Sequence, residues 1–212
     1  MRARILAAVL PALLAACTLE PPTRAAPYDF RLMPENLVFH WTPERAVFYA
    51  VEPEGALQEY VRSGLALWQD QLVFGELRTL IVTNAAGADV HITMDNGAPP
   101  AGTLTNDPPV NACQGVTSYP PLTATSQLSG PLEVRLQWFA GFNPNDIANC
   151  LSRVAAHEIG HTLGLLQHSD QAGDMMFGAP YGALVARTLS SRDRSTIEAL
   201  YHTPPGIRPV PR

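Results

Sequence analysis

The sequence has no lysine. Its 14 basic residues are all arginine and face 19 acidic ones, giving a net charge of −5, so there is no basic field to hold nucleic acid and no nucleic-acid partner is expected. Charge is scarce altogether: 16% of residues are charged against 46% hydrophobic, which argues against disorder and coiled coil and fits one globular domain with a short targeting or linker segment. No internal repeat is visible. The apolar run from Ile5 to Ala16 spans only 12 residues, too few to cross a bilayer as a stable helix. Proline, by contrast, is abundant at 20 of 212 residues, which predicts long irregular connections between the regular elements.

The run from Ile5 to Ala16 follows the cationic start Met1-Arg2-Ala3-Arg4 and reads as a secretory signal over residues 1–16. It ends in Leu14-Ala15-Ala16-Cys17, which resembles the lipobox of bacterial lipoprotein precursors. That resemblance implies cleavage before Cys17, acylation of its thiol and a membrane-anchored protein of the cell envelope or surface; a plainly secreted protein is the other outcome. Thr18 does not resemble the aspartate signal that retains lipoproteins at the inner membrane. Export places Cys113 and Cys150 in an oxidising compartment, where they are expected to bridge and contribute on the order of 4 kcal/mol by constraining the unfolded chain; two buried thiols are the alternative. Residues 17–36, rich in proline and without periodicity, read as a flexible tether, residues 37–203 as the folded domain and 204–212 as a proline-rich tail that frays.

Within the domain, Ala46 to Val51 reads as a strand. Leu57, Val61, Leu65, Trp68 and Leu72 then recur at helical spacing and mark one face of an amphipathic helix. Leu77 to Thr83 and Ala88 to Met94 read as strands, with His91 facing solvent or a neighbouring strand. Residues 96–131, with three Pro-Pro pairs, read as a long loop holding at most a short strand around Val116. Leu132 to Trp138 resumes strand alternation. Asn143-Pro144-Asn145-Asp146 has the order of an N-cap, an N1 proline and an acidic first turn, opening a helix that runs to Gly164. A last helix starts at Leu189-Ser190, where Ser190 and Asp193 have capping-box spacing.

The chemistry is concentrated in His157-Glu158-Ile159-Gly160-His161. Residues four apart share a helix face, so two imidazoles can reach one zinc ion while Glu158 stands beside it without ligating. A carboxylate there can take a proton from a zinc-bound water and later hand it to a leaving amine. Gly164 offers a turn that brings the chain back, and His168 follows almost at once.

These residues resemble the metzincin clan of zinc endopeptidases, and within it the matrixin, matrix-metalloproteinase-like family, whose long motif is His-Glu-x-x-His-x-x-Gly-x-x-His or Asp. Here Gln167 occupies the expected last position and the histidine comes one residue later. Imidazole is the better zinc ligand, and the clan's Met-turn methionine, eight residues beyond the third ligand, falls on Met176 when counted from His168; both observations favour His168. Leu189-Ser190-x-x-Asp193-x-x-x-Ile197-x-x-Leu200-Tyr201 looks like the closing helix of matrixin domains, and Pro180-Tyr181 like their substrate-pocket wall. No cysteine-switch propeptide and no structural zinc or calcium site is recognisable.

The resemblance implies an α+β fold: a twisted mixed sheet of about five strands with three helices, the active-site helix being followed by a Met-turn and a C-terminal helix. It implies a monomeric metalloendopeptidase holding zinc through His157, His161 and His168, with Glu158 as general base and acid on protein or peptide substrates. The chain to be cut would lie along an edge strand, taken to be 132–138 or the loop before it. The competing reading is a non-catalytic surface lipoprotein that keeps the scaffold as a binding module, motivated by the extra residue before His168.

Overall fold

The computed structural model describes residues 25–32, 36–43, 45–97, 112–122, 127–178 and 188–207. The signal segment, Cys17, Pro180 and Tyr181 lie outside them. The architecture is the expected α+β arrangement of a five-stranded mixed sheet and three helices. Two short strands, β1 (Leu37–Val38) and β7 (Gly206–Ile207), pair antiparallel in a separate ribbon. The main sheet comprises β2 (Ala46–Val51), β3 (Arg78–Val82), β4 (Val90–Gly97), β5 (Cys113–Ser118) and β6 (Leu132–Phe139) in the order β3-β2-β4-β6-β5. β2 lies parallel to β3 and β4, β4 is parallel to β6, and β5 runs antiparallel to β6.

Strand alternation does what its period of two dictates. Val47, Tyr49 and Val51 of β2, Val90, Ile92 and Met94 of β4, and Leu132, Val134 and Leu136 of β6 are buried together, while Phe48 between them is exposed. Their face is covered by α1 (Leu57–Gln69), packed on β2 and β3, and α2 (Pro144–Thr162), packed on β5 and β6. The two helices meet closely because Gly64 has no side chain: a Cβ there would lie 2.6 Å from Ile159 Cδ1 and 3.2 Å from Ala156 Cα. One helical turn on, Trp68 Nε1 donates to the Ala156 carbonyl at 2.8 Å, so a large ring fills the crossing without an orphaned donor.

The helix starts are capped as their sequences require. Asn143 accepts from Asn145 N–H at 2.8 Å ahead of Pro144, and Ser190 and Asp193 form a reciprocal capping box at the start of α3 (Ser191–Tyr201). His91 faces a neighbouring strand, where it pairs with Glu133 of β6 at 3.1 Å.

Three expectations are corrected. Of the two edge candidates, 132–138 is overturned, since β6 is interior and bonded on both sides; the edge is β5, the short strand around Val116 in the stretch before it. Within the stretch read as a tether, the described residues around Tyr28 are docked: Tyr28 is buried, donates its N–H to Thr196 Oγ1 at 3.1 Å and its hydroxyl to Asp193 at 3.0 Å. The tail read as frayed from 204 contributes β7, whose backbone ladder with β1 outweighs the local proline content.

Candidate metal centre

Helix α2 is held rigidly where the chemistry sits. Its last carbonyls, buried away from water, are each taken by an aromatic side chain: Tyr119 hydroxyl donates to His161 O at 3.1 Å, Trp41 Nε1 to Thr162 O at 2.8 Å and Tyr201 hydroxyl to Leu163 O at 3.2 Å. The chain then reverses at Gly164, whose φ of +108° lies where L side chains are strained, and a Cβ there would stand 2.0 Å from the Phe39 carbonyl oxygen. Gly164→Ala is expected to lower unfolding stability by about 3 kcal/mol, read from urea midpoints at constant slope.

The reversal brings His168 back over His157 and His161, and the ligand atoms of the three imidazoles lie within 4.8 Å of one another. His161 Nε2 and His168 Nε2 are 3.2 Å apart, close to the roughly 3.3 Å that two nitrogens keep when each is about 2.0 Å from a tetrahedral zinc. The extra residue before His168 therefore does not stop the turn from closing. Second contacts fix the rings: His157 Nδ1 donates to Met175 O at 2.7 Å and His161 Nδ1 to Leu165 O at 2.6 Å, so each neutral ring carries its lone pair on Nε2. Burial drives His157 down to about 3, helped by the neighbouring His161, and His161 down to about 4. Both are thus neutral imidazoles at pH 7, the form that ligates a metal, and His168, the most exposed of the three, is shifted in the same direction by its partial burial. Three neutral imidazoles on one spot fit zinc.

Glu158 is 3% exposed, and burial pushes its carboxyl up to about 7 against the opposing hydrogen bond from Thr117. A group poised near neutrality beside a three-histidine cluster is suited to taking and returning a proton.

Among known proteins, the family model described as Matrixin matches residues 46–202. The chain belongs to the matrixin family. Among solved structures it is similar to one titled "Structure of myroilysin", with 15% identity over 78% of this chain and 96% of that one, at a TM-score of 0.42. No curated protein matches.

In this matrixin the turn after His168 supports the site through its backbone. Met176 is fully buried, and its sulfur occupies the space over Gly160, where a Cβ would meet it at 2.4 Å. Met175 is the relay that the sequence did not disclose: its carbonyl holds His157, and its N–H donates to Asp193 Oδ2 at 2.8 Å. Asp193, fully buried, also accepts from Ser190 N–H at 2.8 Å and from the Tyr28 hydroxyl. Capping-box spacing marks Asp193 as a helix start; its reach to Met175 depends on tertiary placement that no local pattern encodes. Gly178, too, passes flush against the third histidine, since a Cβ there would lie 2.5 Å from His168 Cγ. Gln167 and His168 both border a cavity of about 270 Å³ shared with Tyr28, Arg31 and Arg192.

Cys113 and Cys150 are joined by a disulfide between β5 and α2.

Proposed function

We propose that the protein is a zinc-dependent endopeptidase, exported and anchored to the cell envelope through a lipid on Cys17, that cuts protein or peptide chains laid along β5. The observation that carries this reading is the buried Glu158 beside the cluster of His157, His161 and His168. Those three histidines would hold zinc, which when bound acidifies a water and polarises the peptide carbonyl. Glu158 takes the proton of the attacking water as its oxygen bonds to the carbonyl carbon. The same carboxyl then passes that proton to the amide nitrogen as the carbon–nitrogen bond breaks, which completes hydrolysis without a covalent enzyme intermediate. Among the described residues strand β5 has no partner on its far side, and an extended chain added there is held by main-chain hydrogen bonds. Val116, 53% exposed on that strand, gives such a chain an apolar contact.

The test is metal content of the protein purified from residue 18 onward, with cleavage of casein or gelatin assayed in parallel. One zinc per chain and cleavage that a chelator abolishes and added zinc restores are expected. A folded chain that binds no zinc and cuts nothing would make it a binding module instead.

A further inference from the structure

Strand β5 and helix α2 face each other through a ladder of three rungs. Alternate residues of the strand, Cys113, Gly115 and Thr117, point at α2, and their partners are Cys150, Val154 and Glu158. Two strand residues advance about 6.6 Å and four helical residues about 6 Å, so strand and helix stay in step over all three rungs. The first rung is the disulfide. The second is a clearance: a Cβ on Gly115 would lie 2.5 Å from Val154 Cγ1, 2.6 Å from Glu158 Cγ and 2.7 Å from its Oε1. The third is a hydrogen bond of 2.7 Å from Thr117 Oγ1 to Glu158 Oε2. The same hydroxyl also lies 3.3 Å from the Glu158 carbonyl oxygen, but it has one proton, and the nearer, chargeable acceptor takes it.

We infer that Thr117 is a positioning residue for Glu158: it ties Oε2 to the substrate-bearing strand and leaves Oε1, which has no hydrogen bond among the described residues, to carry the proton. The inference rests on the peptidase reading and adds to it that the strand on which substrate lies also aims the base. Gly115 is what lets the threonine reach, because any side chain there would displace the carboxylate from the strand. The disulfide holds the ladder from its other end, so strand, substrate and base move as one body.

The experiment compares wild type, Thr117→Val and Thr117→Ser, with zinc content, kcat and KM measured on one peptide substrate. The valine removes the hydroxyl at nearly constant volume. It is expected to keep one zinc per chain and a KM within about twofold of wild type while kcat falls about 10- to 100-fold, and the serine is expected to restore kcat to within about threefold. An unchanged kcat in Thr117→Val, or a serine variant as slow as the valine, would overturn the assignment, the second because it would make the loss one of packing. A second readout needs no activity: in crystals of the zinc-free proteins, Glu158 is expected to hold one carboxylate orientation in wild type and more than one in Thr117→Val. A single shared orientation would refute Thr117 as the anchor. A zinc-loaded wild type that cuts no peptide overturns the peptidase reading alone, and the crystals still decide Thr117.

Discussion

Glu158→Gln is expected to retain one zinc per chain and to lose about 10³-fold in kcat/KM, roughly 4 kcal/mol of transition-state stabilisation. Zinc should stay because the three imidazoles, not this side chain, form the ligand cluster. Activity should go because an amide cannot accept the proton of the attacking water, however well it is placed. The substitution preserves volume in a tight site, where even a methyl on Gly115 would collide with the side chain, and its carbonyl oxygen can still accept from Thr117. Stability should move the other way. The carboxylate is buried and burial penalises its charge, so the neutral amide should melt at the same temperature as wild type or higher. Loss of cleavage with melting and zinc unchanged would place Glu158 in the proton transfer; cleavage within tenfold of wild type would remove it from that role.

Much of this arrangement is legible in the sequence, and what is not has physical reasons. α2 announced itself twice, by the Asn143-Pro144 cap and by imidazoles four residues apart, because helix starts and shared faces are local properties. α3 was equally plain from Ser190 and Asp193. β5 shows in the sequence only as a short strand around Val116, since strands are recognised by an apolar alternation that this one lacks: its inward face meets the helix through a cystine, a glycine and a threonine. β6 carries a strong alternation that makes it an edge candidate, yet alternation reports a buried face and is silent on whether a strand is bonded on one side or two. The docking of Tyr28 left no periodic trace because an extended segment is held there by one ring and a backbone hydrogen bond. Of the site, the ligand and base residue types were readable from spacing; the Met175 carbonyl, Asp193 and Thr117, which hold them, act across the fold.

The third ligand is where sequence and family pattern diverge, and two substitutions separate the candidates. His168→Ala is expected to weaken zinc binding by about 10²- to 10³-fold, since an apparent binding free energy of about 10–16 kcal/mol is shared among some four ligands. Gln167→Ala should leave zinc affinity unchanged, its neutral amide being the poorer donor and the three imidazoles already forming the cluster. The structure makes the first loss large for a further reason: His157 and His161 are anchored through their Nδ1 atoms to Met175 and Leu165, so neither ring can swing to compensate. His168 instead is backed by the bare Cα of Gly178, and Gly178→Ala should therefore weaken zinc less than His168→Ala but in the same direction, by pushing the ring off its place. Zinc competition with a chelator of known affinity measures all three. Equal losses in His168→Ala and Gln167→Ala would mean that the turn shifts when the metal arrives and that the extra residue before His168 is a register the chain can use either way.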